Sequence, residues 1–159
     1  MEAGEPLRDD PAAGPSESPG FLADGTWRAV AVQHAQVDLP GGLRAPHSAR
    51  RALEEHFAGT IGRDLLASVE LLTTELVSNA VRHGGAGEGE LVILHLATTE
   101  SCLRVEVCDD GGGFEAGPPT PYGEGGYGLF LVSEVSNRWG VSREDGNCAW
   151  FELDIGADG

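Results

Sequence analysis

DLLASVELLTTELVSNAVRHGG, Asp64 to Gly85, is the longest helical pattern in the chain, and its reading decides the fold. Leu65, Leu66, Val69, Leu72, Leu76, Val77 and Ala80 recur at helical spacing and fill one broad apolar face. Gly84-Gly85 then stops the helix, as glycine does at a C-cap. Glu75, Asn79 and His83 are spaced i, i+4, i+8 and share a single stripe. That stripe runs along the edge of the apolar face, near Leu65 and Leu72. A carboxylate and an amide set half into a core need partners, because leaving each unpaired costs about 1–3 kcal/mol or more. A metal–phosphate ligand would satisfy them. Loop capping or bonds to nearby backbone would do so too, and these residues alone leave both readings open.

Working outward, Leu91–Thr98 and Cys102–Asp109 alternate apolar and other residues as strands do, and Thr99-Glu100-Ser101 between them is short enough for a hairpin. Upstream, Trp27–Val37 reads as a strand ended by Pro40-Gly41-Gly42, and Pro46–Ala58 reads as a helix with Leu53 and Phe57 on its apolar face. Downstream, Gly128–Val135 is helical, and Arg138–Arg143 and Asn147–Ile155 form a last hairpin through Glu144-Asp145-Gly146. Helices in blocks between hairpins predict an α+β chain, a two-layer sandwich with helices on one face of a mostly antiparallel sheet. The first 25 residues, rich in Gly, Pro, Ser and acid, read as a disordered tail before a domain spanning 26–156, with 157–159 as a second tail.

Composition narrows the function. The chain of 159 residues carries a formal net charge of -16, with 26 acids against 10 bases, every base being Arg. A field of that sign repels nucleic-acid phosphates and anionic lipid, so direct nucleic-acid or membrane binding is not expected. Without Lys the chain has no Walker-type P-loop, so any nucleotide must be held by backbone amides, a metal and a few local Arg or His side chains. The three cysteines, Cys102, Cys108 and Cys148, form no C-x-x-C pair and are expected to be buried reduced thiols, which fits the cytoplasm.

Two glycine clusters complete the pattern. Asp109-Asp110-Gly111-Gly112-Gly113 follows directly on a strand, where glycines let the backbone approach a flat ligand and a carboxylate can accept from an exocyclic amine. A simple turn is the competing reading. Gly125-Gly126-Tyr127-Gly128-Leu129 leads into a helix whose first N–H groups are free, a ready anion site, although short glycine runs are also common in linkers. In combination and in this order, ELVSNAVRHG (Glu75–Gly84), VCDDGGGF (Val107–Phe114) and GGYGLFLV (Gly125–Val132) resemble the N-box and the two glycine boxes of the GHKL ATPases. The wording of the N-box and the closing N-R-W-G and W-F-E-L are most similar to the anti-sigma-factor serine kinases of the RsbW and SpoIIAB type.

The resemblance covers about Arg28 to Ile155 and implies the Bergerat, or histidine-kinase-like ATPase, fold. It implies ATP with Mg2+ as cofactors: Asn79 on the metal, Glu75 as general base, and Asp109 on the adenine amine with Gly111 and Gly113 allowing close approach. Gly126, Gly128 and Leu129 would offer amides to the phosphates, Arg82 or His83 would neutralise phosphate charge, and residues 115–126 would form the ATP lid. It further implies a protein-serine kinase that binds a sigma factor and phosphorylates a STAS-domain anti-anti-sigma protein, in a homodimer formed through the first strand and early helices. Three departures favour a second reading, a non-catalytic binding module for the same partners. Tyr127 stands where relatives often carry Arg, the lid EAGPPTPYGEGG has two acids and no base, and Gly146-Asn147-Cys148 replaces the usual Gly-Thr. The catalytic half of a split histidine kinase is a weaker third reading, since no helix pair bearing a phospho-accepting His is visible.

Overall fold

The computed structural model describes residues 33–83, 89–109, 126–142 and 147–156. Among these residues five strands form one sheet: β1 (Gln33–Pro40), β2 (Leu91–Thr98), β3 (Cys102–Asp109), β4 (Arg138–Ser142) and β5 (Asn147–Asp154). Their spatial order is β1-β2-β3-β5-β4, and every neighbouring pair is antiparallel. Three helices among the described residues, α1 (Ala45–Phe57), α2 (Arg63–His83) and α3 (Gly126–Val135), pack with the sheet in the expected α+β arrangement. No described helix is long and apolar enough to cross a membrane.

Alternation along the strands separates the two faces of the sheet. Val92, Leu94 and Leu96 on β2, Leu103, Val105 and Val107 on β3, and Phe151 on β5 turn toward the helices and share one core with Leu53, Phe57, Leu72, Leu76 and Val132. Helix α2 is the hub, packing on α1, α3, β3 and β5. Its buried face is the one its spacing predicts, with Leu65 and Leu66 only partly buried at its first turn. Helix α1 ends where Ala58 donates to the Glu54 carbonyl at 2.9 Å, and Gly59 takes the left-handed conformation at φ 76° that glycine adopts without steric cost.

Two boundaries differ from expectation by more than one residue. Strand β1 runs on to Pro40, beyond Val37, because pairing with β2 continues to Pro40↔Leu91 and Gly41 still donates to Glu90 at 2.8 Å. Proline is tolerated there because β1 is an edge strand of the sheet. Helix α3 begins at Gly126, two residues early. The start of the predicted first strand and the Gly84-Gly85 stop lie outside the described residues.

The opposite face of the sheet holds a row of charge. Glu152, with 0% exposure, accepts from Arg104 Nη1 at 2.9 Å and from Arg138 Nε at 2.7 Å, and Arg138 Nη2 also donates to Asp154. The Arg104 guanidinium lies 4.1 Å from the Trp150 ring centroid, and the indole rests on Gly140, where an added Cβ would meet Cζ2 at 2.7 Å. The cysteines correct the sequence reading: Cys108 and Cys148, directly opposite on β3 and β5, form a disulfide, and only Cys102 is a free thiol. The expectation of three reduced thiols fails because the register that aligns two residues 40 apart is set by strand pairing, which no local pattern reveals. Burial, and secondarily the nearby Glu152 carboxylate, push the Cys102 thiol up to about 12, so it stays protonated.

Candidate nucleotide site

Asn79 lies in the last turn and a half of α2, on the border between the core face and the outer stripe. It is 1% exposed, and neither its Oδ1 nor its Nδ2 has a hydrogen-bond partner. Buried amides are nearly always paired, so one orphaned at both atoms is a strong departure from ordinary packing. The hydroxyls of Thr73 and Thr74 are also unpartnered, but neither side chain is an amide missing both a donor and an acceptor contact. Glu75, one turn earlier, is half-buried, so its carboxylate stays within reach of solvent while sharing the Asn79 stripe. Arg82 is exposed at the helix end, and His83 closes α2.

Asp109 is the last residue of β3 and is buried at 4% exposure, facing the helix layer like Val107 and Val105. It is paired with Val92 on one side and Asn147 on the other, so its backbone is fixed by two ladders at the point where the strand stops. Gly126, Gly128 and Leu129 form the first turn of α3, where helix N–H groups lack intrahelical acceptors and the dipole favours an anion. Helix α2 packs on both β3 and α3, so Asn79, Asp109 and the α3 glycines lie on elements that share α2 as a neighbour. Gly111, Gly113 and the lid residues before Gly126 lie outside the described residues.

Sequence reasoning passed over a second set of chemical groups. His95 and Glu106 are cross-strand partners on the face away from the helices, beside the Cys108–Cys148 disulfide. The signal was present as parity, since His95, Glu106 and Cys108 all occupy the non-core positions of their strands, but without the register it could not be assembled.

Comparison with known proteins agrees with this architecture. Among solved structures, the chain is similar to the crystal structure of the RsbU and RsbW domains of Rv1364c from Mycobacterium tuberculosis, with a TM-score of 0.57 and 21% identity. The match covers 78% of this chain and 33% of that one, so this chain spans about a third of the length of that protein. At that identity the likeness speaks for the fold alone. No curated protein sequence matches the chain significantly. The model of the histidine kinase-like ATPase domain matches residues 39–153, well over half of the sequence, and contains Glu75, Asn79, Asp109 and the α3 glycines. The chain belongs to the histidine kinase-like ATPase domain family.

Proposed function

We propose that this domain binds ATP with Mg2+ and acts as a protein-serine kinase and anti-sigma factor, holding a sigma factor and phosphorylating a STAS-domain antagonist of that complex. The observation that carries the nucleotide site is Asn79, a buried amide with both polar atoms unmatched. An amide oxygen is a hard donor of the kind Mg2+ takes, so the residue present fits the ion the family implies. The ion, when bound, neutralises charge on the phosphates. Asp109 would accept from the adenine amine, and the amides of the first turn of α3 would receive phosphate oxygens. Glu75 would take the proton from the attacking serine hydroxyl, a role open to a carboxylate that remains partly hydrated. With so few bases, most of the acceleration would come from positioning and the metal. Partners of this kind place the protein in the cytoplasm.

The test is incubation with labelled ATP and a candidate STAS protein. Label on a partner serine that disappears in Glu75→Ala supports the kinase. A second reading, a binding module without phosphoryl transfer, is favoured by the base-free lid, by Tyr127 and by Asn147-Cys148. It predicts stable partner complexes with no label in either protein.

A further inference from the structure

On the sheet face turned away from the helices, four metal-ligating side chains meet across three adjacent strands. His95 on β2 lies directly opposite Glu106 on β3, Cys108 follows two residues on along the same face, and Cys148 on β5 is directly opposite Cys108. The ligand atoms of His95, Glu106 and Cys108 all fall within 4.8 Å of one another, and the sulfur of Cys148 is bonded to that of Cys108. His95 and Cys108 are each 8% exposed and Cys148 7%. A disulfide needs neither a buried imidazole nor a carboxylate beside it, whereas a metal ion uses both.

We infer that, once this disulfide is reduced, Cys108, Cys148, His95 and Glu106 form a tetrahedral site for a thiophilic divalent ion, Zn2+ being the ion that fits. Two sulfurs, one imidazole nitrogen and one carboxylate oxygen suit zinc and not Mg2+ or Ca2+, which take all-oxygen sets. Zinc bonds of about 2.0–2.3 Å place ligand atoms roughly 3.3–3.8 Å apart, so His95, Glu106 and Cys108 draw together by about 1 Å while the two sulfurs move apart once their bond is reduced, both by side-chain rotation. Two thiolates and a carboxylate carry three negative charges, which the ion and the Arg104 guanidinium, 3.8 Å from Glu106, offset. His34, stacked on His95 with ring centroids 6.2 Å apart, helps to hold the imidazole plane.

The chemistry balances with a dithiol reductant. It gives two electrons and two protons to the S–S bond, becomes a disulfide itself, and leaves two thiols on the protein. Zn2+ then displaces those two protons as the thiolates bind. In the oxidised chain the sulfurs are not thiolates, so the site is closed to metal. The same positions thus hold either a covalent link or an ion across β3 and β5, next to Asp109 on the opposite face.

The experiment uses the full chain without nucleotide, reduced with a phosphine and titrated with Co2+ and then Zn2+. The expected result is one Co2+ per chain, with intense tetrahedral ligand-field bands and thiolate-to-cobalt charge transfer, both removed by Zn2+. The oxidised chain should give neither band. Cys108→Ser and Cys148→Ser should each lose the signal, His95→Ala should weaken binding at least about tenfold, and Cys102→Ser should bind normally. Because the oxidised chain is itself a control, the test survives a variant that fails to fold. Cobalt held by oxygen near Asn79 would be octahedral and lack charge transfer, so the two sites are distinguishable. No cobalt binding by the reduced chain, a spectrum without charge transfer, or a signal unchanged in Cys108→Ser overturns the inference.

Discussion

Replacing Asn79 with leucine should stabilise the nucleotide-free protein and abolish its response to Mg-ATP. The side chain sits between the core positions Leu76 and Ala80 at 1% exposure, with neither amide atom bonded. Leaving such a group dry and unpaired costs about 1–3 kcal/mol, and leucine removes that cost while keeping the same branched outline. Its methyl groups are larger than the amide atoms, so the lower half of the range is expected. For a domain of this size each kcal/mol moves the melting temperature by roughly 3–6 °C, which thermal unfolding followed by circular dichroism resolves easily. In wild type, Mg-ATP at a hundredfold excess over its Kd should add about 2.7 kcal/mol. The variant should gain nothing. A leucine variant less stable than wild type without nucleotide would show that the amide is satisfied in the free protein, and the reasoning about the site would fail.

Other outcomes follow from the packing and the charges. Gly140→Ala sets a Cβ against the Trp150 ring, at 2.7 Å from Cζ2, and should cost about 1–3 kcal/mol in urea unfolding; wild-type stability would mean that the indole shifts freely. Glu152→Ala takes the shared carboxylate from Arg104 and Arg138, which keep Glu106 and Asp154 as weaker partners, and should cost about 3 kcal/mol by the same assay, whereas an apolar replacement of all three should cost much less. Burial, with the charge of His34 as a smaller cause, lowers the His56 pKa below 6.5. The unfolded chain therefore takes up a proton that the folded one refuses, and stability should fall as pH drops below about 6.5. His56→Gln should flatten that part of a pH–stability curve. Reducing Cys108–Cys148 in the presence of a chelator frees a loop closed over 40 residues and should cost about 4 kcal/mol by loop-closure entropy; a loss under about 1 kcal/mol would place the constraint elsewhere.

The legible parts of the fold were those whose signals are local. Helix α2 carried an unbroken apolar face, and β2 and β3 showed period-two alternation around a short turn, so their limits could be read to within a residue. The end of β1 depended on how far its partner followed it, and Pro40 suggested a break where the ladder in fact continues. Asn79 was legible because a polar stripe at the border of an apolar face is a local fact; its double orphaning was not, since that depends on what every neighbour does with its own donors. The cysteine pair and the His95–Glu106 cluster were hidden for another reason. Their meeting depends on which strand lies beside which, and β5 reaches β3 only after the chain has passed through α3 and β4.

Glu152 has an arginine directly across from it on each side, Arg104 on β3 and Arg138 on β4. That row works as an address for β5. In a shuffled sheet with β4 docked on β3, guanidinium would meet guanidinium, a like-charge juxtaposition that is destabilising across a ladder. If β5 slipped by one residue, Glu152 would turn into the hydrocarbon layer that Phe151 and Leu153 now fill. The three charges thereby discriminate against misassembled topologies, including those that would carry Asn147 and Cys148 away from the end of β3.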